Sequence, residues 1–128
     1  MAPKRNDDRR LTEAELELMN VLWKRGEGSV NDVMELLPEG RAYTTVSTIL
    51  RILEQKGVID ARKEGRGHIY KPLLAKDDYE TRTVRDVVEK VFEGAPVALA
   101  RQLLQTEKLS SGDLAELRKL IDELEAKK

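Results

Sequence analysis

Apolar residues recur at helical spacing along most of the chain, and turn-forming residues divide them into segments. The first predicted helix begins after Thr12, in a Thr-Glu-Ala-Glu stretch that can form a capping box, and it ends near Gly26. A second, short helix is predicted after Ser29, and a third over residues 43–56, which Gly57 ends. Three helices of this kind predict one small helical core.

The next segment has the pattern of a β-hairpin. Val58 and Ile59 open a strand-like run, residues 64–67 form a glycine-rich four-residue connection, and Pro72 suits the end of an edge strand. Further along, a long helix is predicted from Asp77 or Asp78, a short one after Pro96, and a last one capped by Ser110. The predicted fold class is therefore mostly α with a small β-hairpin. Its predicted parts are a flexible tail at 1–10, a domain at 11–74 and a helical domain at 75–128.

The third helix has two unlike faces. Its apolar residues cluster within about 100° on a helical projection and predict a core-facing side; they are Val46, Ile49, Leu50 and Leu53. The opposite side carries short hydroxyls and an arginine, although Lys and Glu are better helix formers for a solvated face. Short hydroxyls let a helix enter the major groove of DNA, and arginine can bond bidentately to guanine. The predicted DNA contacts are Tyr43, Thr44, Thr45, Ser47, Thr48 and Arg51.

Basic residues on the hairpin extend this predicted interface. Arg62, Lys63, Arg66 and His68 are available for backbone phosphates, as in the wing of a winged helix-turn-helix domain. The formal net charge of −1 argues against a general polycation, but residues 38–72 hold seven basic and four acidic residues. The same features are also compatible with an ordinary solvated helix face and with charges that protect an edge strand from aggregation.

Three stretches of the chain resemble the penicillinase-repressor family, the repressors of β-lactamase and methicillin-resistance genes. They are LTEAELELMNVLWKRGEGSVNDVMELL, YTTVSTILRILEQKGVI and GRGHIYKPL. The resemblance covers nearly all of residues 11–124. It implies a sequence-specific transcriptional repressor that binds a palindromic DNA operator as a homodimer, with a winged-helix DNA-binding domain at 11–74 and a helical dimerisation domain at 75–128. It places recognition contacts on the third helix from Thr44 to Arg51, and wing contacts near Arg66, His68 and Tyr70.

The chain departs from the family at two points. Antibiotic-responsive relatives are cleaved at an Asn-Phe bond, which implies a membrane-sensor protease as a partner, but the aligned pair here is Gln102 and Leu103. Copper-responsive relatives use C-terminal cysteines, and this chain has none. Neither induction mechanism therefore carries over directly from the resemblance.

The C-terminal helices carry apolar stripes that predict self-association. An intramolecular core is the alternative, but about fifty residues form only a small core on their own. Exchange of helices with a second copy would bury both stripes. The predicted dimerisation residues are Val84, Val88, Leu114, Leu117, Ile121 and Leu124.

The remaining chemistry of the chain is sparse. The absence of cysteine excludes disulfides and thiolate metal sites, and His68 is the only histidine, so no metal or cofactor is predicted. No nucleophile–base set or phosphate loop is present, and the chain is predicted not to be an enzyme. No apolar run approaches the ~20 residues that cross a bilayer, so no membrane insertion is predicted. The predicted cytoplasmic location is compatible with the absence of cysteine. The rival interpretation is a winged-helix module that binds another protein and lacks sequence-specific DNA binding.

Overall fold

The computed structural model describes residues 10–128. The predicted tail at 1–10 lies outside the described residues except for Arg10. The mostly helical class with one hairpin is confirmed, and so is the order of the elements. These are α1 (Glu13–Arg25), α2 (Val30–Glu35), α3 (Tyr43–Gln55), β1 (Ile59–Glu64), β2 (Gly67–Pro72), α4 (Lys76–Lys90), α5 (Pro96–Thr106) and α6 (Ser111–Ala126).

Local capping explains why three of these helices start where they do. The Thr12 hydroxyl accepts from the Glu15 amide at 3.1 Å, and the Glu15 carboxylate accepts from the Thr12 amide at 2.9 Å. This reciprocal pair satisfies two amides that a helix N-terminus otherwise leaves without a partner. The same box forms at the starts of α2 and α6, between Ser29 and Asp32 and between Ser110 and Asp113.

The chain divides into two compact units, the first ending at Glu80 and the second formed by Thr81–Lys128. The first unit has one aliphatic core, to which α1, α2, α3 and the hairpin all contribute. Val46, Leu50 and Leu53 of α3 are fully buried in it, and Ile49 is half-buried against its edge. The predicted core face of α3 is thereby confirmed.

The hairpin differs from its prediction in the length of its connection. β1 and β2 pair antiparallel with Glu64 opposite Gly67, so only Gly65 and Arg66 connect them. The predicted four-residue connection is wrong because its outer two residues join the ladder. Gly65 has φ of 62°, and a glycine with positive φ at the first central position suits the twist of a two-residue hairpin.

The chain that follows the hairpin is fastened to α1. The Trp23 indole donates from Nε1 to the Leu74 carbonyl at 2.8 Å. The Trp23 ring also lies against Tyr79, with 5.9 Å between ring centroids. These contacts hold the first turn of α4 within the first unit.

The second unit has helices but no buried core of its own. None of the described residues of α4, α5 or α6 is buried. In α6, Leu114 and Leu117 are 37% exposed and Leu124 is 62% exposed. The alternative of an intramolecular core for the α6 stripe is therefore wrong for the single chain.

Candidate nucleic-acid interface

Helix α3 turns its predicted contact residues outward. Its core side is fully buried at Val46, Leu50 and Leu53, and these residues fix the rotation of the helix about its axis. The opposite side is open, because all but one of the predicted contacts are exposed and Ser47 is half-buried. The exposed contacts are Tyr43, Thr44, Thr45, Thr48 and Arg51.

The N-terminal end of α3 is held without a side-chain cap. Ala42 occupies the N-cap position and has no side chain that can accept from the first amides. Just ahead of it, the Arg41 guanidinium forms an ion pair with the Glu17 carboxylate of α1. Uncapped helical amides and the positive end of the helix dipole attract phosphate oxygens. The start of α3 is thus held in place by the ion pair, and its first backbone amides can donate to a phosphate oxygen.

The C-terminal end of α3 is held by a second carboxylate of α1. Lys56 donates from Nζ to Glu15 Oε1 at 2.6 Å and to the Arg10 carbonyl at 3.3 Å. The Glu15 side chain is only 7% exposed. Burial by itself raises the pKa of this carboxyl, but the hydrogen bonds from Lys56 and from the Thr12 amide outweigh it and hold the pKa below its ordinary value. Ion pairs from α1 therefore hold both ends of α3.

The hairpin presents different residues on its two faces. Side chains alternate along a strand, so Ala61 and Lys63 of β1 share a face with their partners Tyr70 and His68 of β2. This face meets the polar side of α3 across a groove of about 590 Å³. The groove is lined by Tyr43, Ser47, Arg51 and Glu54 from α3 and by Lys63, Arg66, His68 and Tyr70 from the hairpin.

Tyr70 joins the groove to the core. Tyr70 is 7% exposed, and its backbone exchanges two hydrogen bonds with Gly28, at 2.8 and 2.9 Å. Burial raises the pKa of the Tyr70 phenol, and the nearby Glu54 carboxylate raises it further. The phenol therefore stays neutral at the base of the groove.

The structure brings only some of the predicted DNA contacts together in the groove. Thr44, Thr45 and Thr48 are exposed on α3 but do not line the groove. Arg62 lies on the face of the hairpin that points away from the groove, where it forms an ion pair with Glu27. This position separates Arg62 from Lys63, Arg66 and His68, and its predicted role as a phosphate contact stays a prediction. Sequence reasoning also missed Glu54, whose position one turn after Arg51 on an exposed helix face was the available signal.

Within residues 10–128, no group of three or more His, Cys, Asp or Glu side chains is arranged to hold a metal ion. None of the helices in the same range has the length and apolar character needed to cross a bilayer.

Comparison with known proteins identifies the family. The sequence model of the penicillinase repressor matches residues 11–123. This chain belongs to the penicillinase repressor family. It is 28% identical over 114 residues to the methicillin resistance regulatory protein MecI of Mammaliicoccus sciuri. The aligned region covers 88% of this chain and 93% of that protein. It is 31% identical over 120 residues to the transcriptional regulator BlaI of Mycobacterium tuberculosis, which covers 91% of this chain and 86% of that protein.

A solved structure agrees with this family in fold. The solution structure of the DNA-binding domain of the repressor BlaI has a TM-score of 0.50 and 34% identity, and covers 56% of this chain and 89% of that chain. The predicted winged-helix fold and the predicted penicillinase-repressor resemblance are confirmed. The prediction that the chain is not an enzyme is also confirmed, because the penicillinase repressor family consists of transcriptional repressors.

Proposed function

We propose that this protein is a sequence-specific DNA-binding transcriptional repressor that acts in the cytoplasm as a homodimer on a palindromic operator. The observation that carries the proposal is the two-sided character of α3. Val46, Leu50 and Leu53 anchor one side in the core, while the other side opens onto a groove that the hairpin lines with basic residues. Membership of a family of repressors supports it.

In the proposed complex, α3 enters the major groove of the operator. Its 13 residues span roughly 20 Å at 1.5 Å per residue, which suits one passage along the groove. Thr44 and Ser47 are short, so the backbone of α3 can approach the base edges closely, and Arg51 can reach further to a guanine. The uncapped amides at the start of α3 would meet a phosphate oxygen.

The hairpin acts in this complex as the wing, which we define as residues 59–72. Lys63, Arg66 and His68 share the groove with α3 and would contact the sugar–phosphate backbone beside the base contacts. Contacts of this type supply affinity and orientation but carry no base sequence. The proposed division of roles is therefore base recognition by α3 and backbone contact by the wing.

The second unit supplies the interface of the proposed dimer. Its exposed apolar residues would be removed from water only by another protein surface, and a second copy of this chain offers the same stripes in a two-fold arrangement. A two-fold dimer also presents two α3 helices to the two halves of a palindromic operator. The residues proposed to lie in the dimer interface are Val84, Val88, Leu114, Leu117, Ile121 and Leu124.

Cleavage between Gln102 and Leu103 by a membrane-sensor protease stays a prediction. The bond lies inside α5, where Leu103 is 51% exposed. The pair differs from the Asn-Phe sequence of antibiotic-responsive relatives.

A DNA-binding titration tests the proposal. Fluorescence anisotropy would be measured with labelled DNA from upstream of the protein's own gene, and with a scrambled duplex of equal length and composition. We expect tight, salt-sensitive binding to the upstream DNA and weaker binding to the scrambled duplex. Equal binding to both duplexes, or no binding at low salt, would refute the proposal and favour the rival protein-interaction module.

A further inference from the structure

The back face of the wing, the face that points away from the groove, carries an ion pair with fixed geometry. The Arg62 guanidinium donates from Nη1 to Glu27 Oε1 at 2.9 Å and from Nη2 to Glu27 Oε2 at 2.8 Å. Two parallel hydrogen bonds fix the guanidinium plane relative to the carboxylate, which a single lysine contact does not do. The pair therefore defines an orientation as well as a distance.

Glu27 belongs to the helical part of the first unit and not to the hairpin. Before it, Gly26 ends α1, with its amide donating to the Leu22 carbonyl at 2.7 Å. After it, Gly28 exchanges two backbone hydrogen bonds with Tyr70. The backbone of Glu27 is thus held between the end of α1 and the bridge from Gly28 to Tyr70, so its carboxylate extends from a fixed position.

The ion pair of Arg62 and Glu27 reaches across β2, which lies between two other segments of the chain. Gly28 lies beside β2 on one side, and β1 lies beside β2 on the other. Neighbouring strands are about 4.8 Å apart, so the two outer segments are separated by roughly 10 Å. A long side chain such as Arg62 spans that distance and connects β1 directly to the segment between α1 and α2.

On the back face, the Arg62 guanidinium forms ion pairs with two carboxylates, those of Glu27 and Glu64. Its hydrogen bonds lower the pKa of Glu27, and Nη2 lies 3.3 Å from the Glu64 carboxylate as well. Lys63, the next residue, faces the groove instead. The two adjacent basic residues of β1 therefore have different surroundings and are expected to act differently.

We propose that Arg62 and Glu27 form a positioning pair that sets the angle of the wing and so places Lys63 and Arg66 against the DNA backbone. This inference rests on the proposed function, since it assigns a role within DNA binding. A hairpin of two strands is marginally stable alone, and the base of this one is held by the burial of Ile59 and Tyr70 in the core and by the bridge from Gly28 to Tyr70. Arg62 lies nearer the tip than Ile59 and Tyr70, so loss of the pair would leave the outer part of the wing without this connection to the helical part of the unit.

The Glu27→Gln variant tests whether the pair affects DNA binding by orienting the wing or only through its charge. It removes a negative charge, so electrostatics alone predicts tighter binding to DNA. The positioning pair predicts the opposite, a weakening of about two- to fivefold, the size of effect that exposed ion pairs produce. Glu80→Gln is the matched control, because it makes the same charge change at an exposed residue and is expected to leave affinity equal or higher.

Arg62→Gln separates positioning from phosphate contact. We expect weaker binding with an unchanged slope of log K against log salt, whereas Arg66→Gln should reduce that slope by about one unit. The Glu27→Gln/Arg62→Gln double variant should bind no more weakly than Arg62→Gln, because both single changes remove the same interaction. Tighter binding by Glu27→Gln, or a slope reduced by about one unit in Arg62→Gln, would overturn the inference.

A measurement without DNA keeps the inference separate from the proposed function. Residual dipolar couplings of the β1 and β2 amides, referred to those of α1 and α3, report the orientation of the wing in the full chain. We expect these couplings to change in Glu27→Gln and Arg62→Gln and to stay constant in Glu80→Gln. Constant couplings in all three variants would overturn the positioning role. If the unmodified protein binds no operator DNA, the proposed function fails, and the couplings still decide whether the pair orients the wing.

Discussion

Replacing Lys56 by methionine should destabilise the first unit through the buried carboxylate of Glu15. Lys56 is 26% exposed and Glu15 is 7% exposed, so methionine keeps the packing of the lysine stem but removes the charge partner. Glu15 would then remain a poorly hydrated carboxylate whose main hydrogen bond comes from the Thr12 amide at 2.9 Å. The change acts on the C-terminal end of α3 without touching the polar face of that helix.

The expected loss follows from the geometry of the pair. Removing one partner of a fully buried ion pair costs about 3–5 kcal/mol, because the other charge is left without compensation. Lys56 is partly hydrated, and the Thr12 amide continues to stabilise Glu15, so we expect a loss of about 1–2 kcal/mol at neutral pH.

The loss should depend on pH. The folded pKa of Glu15 is below its ordinary value of 4.5, so its ion pair contributes fully above that pH and less as pH falls through the lowered folded pKa. The difference between the Lys56→Met variant and the unmodified protein should therefore shrink in acid.

Urea unfolding followed by tryptophan fluorescence measures this loss. Trp23 is the only tryptophan, and it packs on Tyr79 inside the first unit, so its signal reports that unit. Chain concentration must be held constant because the proposed homodimer makes stability depend on it. Lys63→Met is the matched control, since Lys63 is exposed and its loss should change the free energy of unfolding by less than about 0.5 kcal/mol. Equal loss in both variants, or a loss that does not shrink in acid, would refute the reasoning.

Three more predictions concern DNA binding and assembly. Arg51→Ala should lose about 1–3 kcal/mol of discrimination at one base pair, measured on the operator and its single-base variants; equal weakening on every duplex would assign Arg51 to phosphate. Arg66→Ala should reduce the salt slope by about one unit in an anisotropy titration, and an unchanged slope would remove the tip of the wing from the interface. Leu117→Asp should give monomers in sedimentation velocity, whereas Lys119→Asp, on a different face of α6, should not; dimers of the Leu117 variant would contradict the proposed interface.

Much of the fold could be predicted because its signals are local. The boxes that begin α1, α2 and α6 join residues three positions apart, so a short stretch of sequence contains both partners. The core side of α3 likewise follows from helical spacing within 13 residues. Such features need no knowledge of distant parts of the chain.

The sequence was insufficient where a feature depends on strand register or on distant partners. The connection of the hairpin is two residues long because Glu64 pairs with Gly67, which the glycine-rich composition alone does not determine. The back-face position of Arg62 follows from strand alternation once Ile59 is known to be buried. Its partner Glu27 is 35 positions away and carries no motif. The ion pair could therefore be found only from the folded arrangement.

The open apolar stripe of α6 has a consequence for control. A lone chain keeps these leucines in water, and the proposed two-fold assembly recovers their burial only when two chains meet. The fraction of assembled molecules then rises with the number of molecules in the cell, and occupancy of the target site rises more steeply than the copy number itself. A modest drop in synthesis would then lower the occupancy of the DNA target by more than the drop in copy number. The concentration of the protein could thus regulate the target without an effector molecule.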